Sequence, residues 1–180
     1  MSILSNPCSL TSGLPLPCQN AMPGVLTCYI ADWNNVATVN INPSNVVTAI
    51  TMSAASYFYT FNLEKEGGEI VENIISTPQM GTTAYEQIFN MYLAHYQTSV
   101  KNQVMILAAD RTMIIVEDRN GQYWLLGDTN GMNMNGTNTG NTGKTYTGGD
   151  PNGFTLSFSG QEPTLAPEVS STVISAIIHS

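Results

Sequence analysis

The sequence predicts a mainly β protein: an antiparallel β-sandwich or barrel of seven or eight strands, with one flanking α-helix and extended arms at both ends. Three observations indicate this class. Short segments of alternating apolar and polar residues recur between turn signals, only one segment clearly repeats its apolar residues at the helical period, and strands do not alternate with helices. The 180 residues are the size of a single domain with some additional chain.

The two ends of the chain are predicted to be extended. Residues 1–24 contain four prolines and end in Pro-Gly, a composition that disfavours regular structure. The β domain is expected to span residues 25–162. Residues 163–180, from the proline onward, are predicted to form a second extended tail.

The first half of the domain predicts strands joined by turns. "GVLTCYIADW" predicts a strand with two alternating faces, and "NPSN" predicts a turn before the short strand "VVTAITM". In "YFYTFNLEKEGGEIVENII", Tyr57, Tyr59 and Phe61 are interpreted as one buried face of a strand. The pair Gly67–Gly68 lies midway along this segment and predicts a hairpin turn.

The second half predicts the helix and the best-defined hairpin. "TAYEQIFNMYLAHYQ" is ambiguous, and its aromatic and β-branched residues favour a strand. An apolar stripe at helical spacing, with Ser99 as the N-cap, predicts a helix over about residues 99–109. In "TMIIVEDRNGQYWLLG", apolar runs flank Asn120–Gly121, which predicts a type I′ hairpin. A long loop rich in Gly, Asn and Thr over residues 128–150 precedes a last strand, "GFTLSFSG".

The composition indicates a subunit that packs against others and does not bind nucleic acid. Charged residues make up 10% of the chain, below the roughly 25% of a typical soluble domain, and neutral polar residues replace them. The net charge is −8. The only cations are Lys65, Lys101, Arg111, Arg119 and Lys144. A nucleic-acid-binding surface needs many more, because Lys and Arg neutralise the phosphates.

The termini predict neither secretion nor a membrane span. "MSILSNPCSL" has no basic region followed by an apolar run, and "VSSTVISAIIHS" is about half the length that crosses a bilayer. We therefore expect a soluble protein made in the cytoplasm, with no membrane partner.

No metal or cofactor is predicted. Cys8, Cys18 and Cys28 are spaced too widely for a compact metal site, and neither His95 nor His179 has a partner at ligand spacing. The favoured interpretation is three reduced thiols, with Cys28 buried in a strand. A Cys8–Cys18 disulfide or a weak metal site is the alternative.

No catalytic residue is predicted, and the chain is not expected to be an enzyme. "NTGNTGKTYT" ends like a phosphate-binding loop, but Asn138 stands where that loop has its first glycine and no helix is expected to follow. A nucleotide hydrolase using Lys144 is therefore the weakest alternative. Nothing orients Cys28 toward His95 as a nucleophile and base. The remaining acidic clusters, interpreted as solvated turn and edge residues, are Glu64, Glu66, Glu69, Glu72, Glu117 and Asp118.

The order of these elements resembles virion structural proteins of tailed phages that infect Bacteroidota, the crAss-like phages among them, in the tail-tube or neck-ring class. The segments that match most closely are "PGVLTCYIADWNNV", "IIVEDRNGQYWLLGDTNG" and "GDPNGFTLSFSGQEP". The resemblance covers most of residues 23–165. It is weakest in the Asn/Thr-rich insert around residues 132–149 and after Pro167.

The resemblance implies a tail-tube-like β-sandwich or barrel assembled as a homo-oligomeric ring, sixfold in a tube or twelvefold next to the portal. It implies a structural virion protein of the tail or neck, assembled in the host cytoplasm, that contacts other tail or portal proteins. Phage DNA would pass through the ring without specific binding. An acidic subunit fits such a conduit, because like charge lowers adhesion.

The loop over residues 128–150 is predicted to contact neighbouring subunits or stacked rings. The contact residues expected there are Met132, Met134, Lys144 and Tyr146. Two other functions stay open. A capsid-decoration or fibre-associated virion protein would lie on the capsid surface, and a carbohydrate-binding β-sandwich module would use the aromatic run from Tyr57 to Phe61. The carbohydrate-binding alternative requires an exposed Tyr59.

Overall fold

The computed structural model describes residues 13, 21–144, 149 and 151–179, which form twelve strands and two α-helices. Strands account for 51% of the described residues and helical residues for 16%, so the mainly β prediction is confirmed. In chain order the elements are β1 (Val25–Asp32), β2 (Val36–Ile41), β3 (Val46–Met52), β4 (Tyr59–Asn62), β5 (Gly68–Thr77), β6 (Thr82–Ala94), α1 (Thr98–Ala109), β7 (Thr112–Asp118), β8 (Tyr123–Leu126), β9 (Asn133–Met134), β10 (Thr139–Asn141), β11 (Gly153–Glu162), β12 (Glu168–Val169) and α2 (Ser171–Ile177).

The strands form two separate sheets. The seven-stranded sheet has the order β2-β3-β12-β8-β7-β1-β4, and the five-stranded sheet has the order β10-β11-β6-β5, with the short β9 also paired to β11. Neighbouring strands are antiparallel except for β12 and β3, which run parallel. No closed barrel is found among the described strands, because both sheets end in edge strands.

Apolar side chains form two cores, one on each face of the seven-stranded sheet. The first core lies between the two sheets, and α1 packs against it. The second core lies between the seven-stranded sheet and α2. β1 and β7, in the middle of the molecule, have side chains in both cores, which explains their nearly continuous apolar sequences. Fully buried members of the first core include Cys28, Phe89, Ile114, Met132 and Phe158.

The C-terminal segment is folded, so the prediction of an extended tail over residues 163–180 is wrong. β12 inserts between β3 and β8, and α2 follows it directly. Val173, Ile174 and Ile177 occupy one face of α2 and are buried in the second core. Their burial outweighs the modest helix propensity of β-branched residues. The described part of the chain therefore has two α-helices rather than the one predicted.

α1 and β6 confirm two of the predicted elements. α1 has nearly the predicted bounds, and "TAYEQIFNMYLAHYQ" forms a strand. The N-cap of α1 is Gln97, without a side-chain hydrogen bond, so the prediction of Ser99 as the cap is wrong. The helix packs on the first core through Val100, Val104 and Leu107.

β7 and β8 form the predicted hairpin, but its turn is not type I′. A type I′ turn needs positive φ at both central residues, and only Gly121, with φ of 78°, has it. The Oδ1 atom of Asp118 accepts hydrogen bonds from the N–H groups of Asn120 at 2.8 Å and Gln122 at 2.9 Å. A side-chain cap of this kind favours a turn with ordinary φ at Asn120, followed by a left-handed glycine.

Gly67 ends a connection between the two sheets and Gly68 begins β5, so the predicted hairpin turn is wrong. β4 pairs with β1 in one sheet, and β5 pairs with β6 in the other. A Cβ atom at Gly68 would lie 2.7 Å from Cδ1 of Leu63 and 3.0 Å from Cβ of Val25. Glycine is needed here because the chain passes closely over other residues as it changes sheets.

Candidate subunit interface

Residues 73–84, which we call the distal hairpin, form the outer half of the β5–β6 hairpin. Positions 71–76 of β5 are all exposed, whereas a strand with one buried face shows alternating burial. Ile74 is 64% exposed, Ile75 44% and Met80 79%. β5 is also the last strand of its sheet, so among the described residues its outer edge has no strand partner. Exposed apolar side chains beside an unpaired strand edge mark an interaction site.

β5 crosses the seven-stranded sheet in the direction away from β4. Its first residue, Gly68, lies against Val25 of β1. Further along, Glu72 lines a cavity with Trp124 of β8 and Ala166, and its Oε1 atom accepts the N–H of Ala166 at 2.7 Å. β8 is two strands from β1 on the side away from β4. The distal hairpin therefore extends from the side of the molecule opposite to β4.

The solvent-facing side of the five-stranded sheet, which we call the outer face, is polar and contains no cation. Side chains that alternate with the buried Phe89 and Phe158 point outward. None of the strands in this sheet contains Lys or Arg. Its two carboxylates, Glu69 and Glu86, accept hydrogen bonds from side-chain amides at 2.8 and 3.0 Å. The outward residues of the three long strands are Glu69, Val71, Asn73, Ile75, Glu86, Ile88, Asn90, Tyr92, Thr155, Ser157, Ser159 and Gln161.

A groove of about 630 Å³, the α1–β4 groove, lies at the other edge of the seven-stranded sheet. No residue of the five-stranded sheet lines it, so at this corner α1 alone flanks the sheet. Its apolar lining is Ile30, Ala31, Tyr59, Phe61, Ile106 and Leu107, and its polar lining is Asp32, Thr60, Gln103, Asp110 and Thr112. The two carboxylates of the lining, with no cation beside them, disfavour an acidic occupant.

The predicted contact residues of the loop 128–150 have different environments. Met132 is completely buried in the first core and exchanges backbone hydrogen bonds with Thr112, so its prediction as a subunit contact is wrong. Met134 is half-buried against the same core, and Lys144 is exposed. Tyr146 lies outside the described residues. The loop is also less irregular than predicted, because β9 and β10 pair with β11.

The burial of the aromatic residues before and within β4 differs from the prediction that Tyr57, Tyr59 and Phe61 form one buried face. Phe58 is completely buried in the second core, whereas Tyr57 is 43% and Tyr59 54% exposed. The predicted buried face is therefore wrong for both tyrosines and holds in part for the half-buried Phe61. The physical reason is that β4 is an edge strand: β6 of the other sheet lies near Phe61, but no residue of that sheet lines the groove at Tyr59. His179 packs edge-on to Tyr57 at 5.2 Å and stacks on Tyr59 at 5.8 Å.

Sequence reasoning missed a buried carboxyl group at the end of β11. Glu162 is 2% exposed and accepts hydrogen bonds from the N–H groups of Thr129 at 3.2 Å and Asn130 at 2.9 Å. Burial raises its pKa; the charge of Asp128 adds to this rise, and the two N–H donors partly oppose it. The two-residue period of the strand, which puts Glu162 on the same face as Phe158, was the signal available in the sequence.

Gln87 is a second buried polar residue that the sequence analysis missed. It is fully buried on β6 and connects two segments distant in sequence. Its Oε1 atom accepts the N–H of Gly127 at 3.0 Å, and its Nε2 atom donates to the carbonyl of Thr164 at 3.3 Å. Together with Glu162 it fixes the chain after β8, so we assign both residues a structural role.

The thiol and the phosphate-loop segment lie in unreactive surroundings. Cys28 is fully buried, and burial raises the pKa of its thiol far above the ordinary value, which disfavours a nucleophilic thiolate. Gly143 and Lys144 follow β10, and the next described element is β11, a strand rather than the helix that a phosphate-binding loop needs. Thr145, Cys8 and Cys18 lie outside the described residues.

The described residues present neither a metal-binding cluster nor a membrane-spanning helix. Within the described ranges, no three or more His, Cys, Asp or Glu side chains are grouped so that they could hold a metal ion. Neither described helix has the length and apolar run needed to cross a bilayer. No protein-family model, curated protein or solved structure matches this chain.

Proposed function

We propose that this protein is a structural virion protein of a tailed phage, which assembles into rings, or into a tube of stacked rings, in the tail or neck. The distal hairpin carries this proposal, because an exposed apolar strand with a free edge is covered in a working assembly. The resemblance of the Asn-Gly hairpin and last-strand segments to tail-tube and neck-ring proteins is the reason for choosing a virion. Two facing sheets with a flanking helix support a tail-tube-like sandwich.

We assign the outer face of the five-stranded sheet to the channel through which DNA would pass. Most side chains of this face are Ser, Thr, Asn and Gln or carboxylates, with four apolar or aromatic residues among them. A surface without cations gives phosphates nothing to bind, and its negative charge lowers adhesion. In a ring with this orientation, six or twelve copies would surround the channel. Other tail or portal proteins would contact the two ends of the ring.

The substitution Ile74→Asp is expected to weaken assembly strongly while leaving the subunit folded. Ile74 is on the distal hairpin and exposed, so the change removes apolar contact area and adds a charge to the interface. Losing the burial of one isoleucine costs about 2 kcal/mol per contact, roughly a 30-fold weaker association at each interface. Light scattering after size-exclusion chromatography and negative-stain images of rings measure the effect.

Ile41→Asp is the matched control for this experiment. Ile41 is 39% exposed at the end of β2, in the other sheet, so the same chemical change is made away from the hairpin. We expect the wild type and Ile41→Asp to form rings. We expect Ile74→Asp to remain monomeric. A wild-type protein that stays monomeric at high concentration would contradict the proposed function. Ring symmetry in the images also separates a tail or neck ring from a capsid decoration.

A carbohydrate-binding module is the second candidate, and the exposure of Tyr59 favours it. Tyr59 lines the α1–β4 groove, whose polar lining includes carboxylate, amide and hydroxyl groups, and the exposed Tyr57 contacts the same His179 ring as Tyr59. Aromatic rings combined with a few polar groups are typical of pockets for small ligands. This arrangement differs from the buried face that sequence alone predicted.

The substitution Tyr59→Ala is expected to abolish sugar binding if the second candidate is correct. A glycan array with neutral and acidic oligosaccharides is the probe, applied to the wild type and the variant. Tyr96→Ala is the control, because Tyr96 is also partly exposed but stacks on Phe154 at a different place. A wild-type protein that binds no glycan on the array would remove this candidate and leave the assembly proposal untouched.

A further inference from the structure

The distal hairpin and the α1–β4 groove are two uncovered apolar features on opposite sides of one molecule. The hairpin leaves the fold beyond β8, on the side away from β4. The groove lies at β4, the edge strand at the end of the seven-stranded sheet. Each has exposed aliphatic side chains, Ile74 and Met80 on the hairpin and Ile106, 54% exposed, at the groove.

We infer that the distal hairpin of one copy occupies the α1–β4 groove of the next copy, so that the subunits join head to tail. This inference rests on the proposed assembly and names the two surfaces that would form its interface. An interface made of two different surfaces is heterologous, and repeating it closes a ring when the rotation between copies is suitable. A two-fold dimer would instead use one surface twice.

Charge favours the hairpin as the occupant of this groove. Asp32 and Asp110 line the groove, so they disfavour the acidic segments of a chain whose net charge is −8. Residues 73–85 contain no charged side chain. The hairpin can therefore bury its aliphatic residues there without bringing like charges together.

The shape of the two features is also compatible. The distal hairpin is only two strands wide, because beyond Glu162, which pairs with Tyr85, β11 no longer accompanies β6. A groove of about 630 Å³ accommodates a few aliphatic side chains, within the roughly 300–1,000 Å³ of typical binding pockets. The groove is bordered by Tyr59 and Ile106, which provide apolar contact area on both sides.

Disulfide trapping between two variants, each with one introduced cysteine, tests the inference. Both variants are made with Cys8→Ser and Cys18→Ser; Cys28 is kept because it is buried. One variant has Met80→Cys at the hairpin and the other has Ile106→Cys at the groove. After mixing, reassembly and mild oxidation, we expect a disulfide-linked dimer of the two variants and none from either variant alone. A disulfide requires Cα atoms within about 7 Å, so it reports direct contact.

Met105→Cys is the matched control for the groove variant. Met105 is next to Ile106 on α1 and is 67% exposed, but it does not line the groove. It is expected to give no dimer with Met80→Cys. Dimers of Met80→Cys with itself, or equal trapping with Met105→Cys, would overturn the inference.

The outcome also separates this inference from the proposed function. Rings that form without Met80–Ile106 trapping would refute the head-to-tail contact and leave the ring proposal standing. Monomers at every concentration, with no trapping of any pair, would refute both.

Discussion

Replacing Ile174 with alanine is expected to lower the free energy of unfolding by about 2–5 kcal/mol. Ile174 is 4% exposed in α2 and belongs to the second core, together with Phe58 and with Ile115 and Leu125 of the seven-stranded sheet. The substitution removes buried carbon atoms and leaves a cavity that a rigid sheet fills only partly. Against a total stability of roughly 5–15 kcal/mol, this is a large loss. Denaturant titration followed by circular dichroism measures it.

Ala176→Ser is the control for this prediction. Ala176 is exposed on the same short helix, so its substitution changes the surface of α2 and leaves the core intact. A change within about 0.5 kcal/mol is expected there. If Ile174→Ala were no more destabilising than Ala176→Ser, α2 would not be packed on the sheet as described.

α2 also supports the edge strand that borders the α1–β4 groove. The N–H of Phe58 donates to the carbonyl of Ile177, and the N–H of His179 donates to the carbonyl of Phe58, both at 3.0 Å. Phe58 immediately precedes β4. The C-terminal segment, predicted to be an arm, therefore helps to position Tyr59 and the groove.

The second large effect is expected at Glu162, where alanine should cost about 2 kcal/mol. The N–H groups of Thr129 and Asn130 would each lose their acceptor, at about 1 kcal/mol per group because both residues are exposed to water. Glu162→Gln keeps an acceptor oxygen and is expected to cost less than Glu162→Ala. Thermal or denaturant unfolding of both variants measures the difference. Equal losses for the two variants would contradict a role based on hydrogen bonding.

Glu162→Gln is also expected to change how stability depends on pH. The pKa of Glu162 is raised in the folded protein above its ordinary value of 4.5. The unfolded chain therefore releases this proton at lower pH, and the contribution of Glu162 to stability is lost as the pH rises from about 4.5 through the raised pKa. Glutamine does not titrate, so the variant should lose less stability than the wild type as the pH rises above about 4.5.

The control for the pH experiment is Glu69→Gln, on the outer face. Glu69 is exposed and accepts a hydrogen bond from Asn90, so its replacement removes a carboxylate without touching the buried cluster. The comparison is between the pH profiles of free energy of unfolding for the two variants and the wild type. A Glu162→Gln profile that runs parallel to the wild-type profile would refute the assignment of this pH dependence to Glu162.

Elements defined by local chemistry could be predicted from the sequence. Asn120–Gly121 between two apolar runs predicted a hairpin, because a turn with a left-handed residue needs only a few neighbouring residues to form. The helix after Gln97 followed from a single apolar stripe. The turn type and the helix cap were wrong, since each depends on whether one side chain, Asp118 or Ser99, makes a particular hydrogen bond.

The candidate interface could not be predicted, because it depends on which strand lies at an edge. Gly67–Gly68 in an alternating segment looks like a hairpin turn, yet β4 and β5 belong to different sheets. Tyr59 is exposed because β4 is at an edge, and Met132 is buried because the chain after β8 returns across the core. The distal hairpin is likewise exposed because β5 and β6 continue beyond the point where β11 ends.

The sequence by itself determined the mainly β class, the position of α1, the Asn-Gly hairpin and the acidic, cation-poor character, since these follow from local periodicity and composition. Only the tertiary structure decided the strand order, the packing of α2 and which apolar side chains stay exposed. The physical reason is that burial is a property of contacts between distant segments. The local sequence of a strand such as β5 does not indicate whether a neighbouring segment covers it.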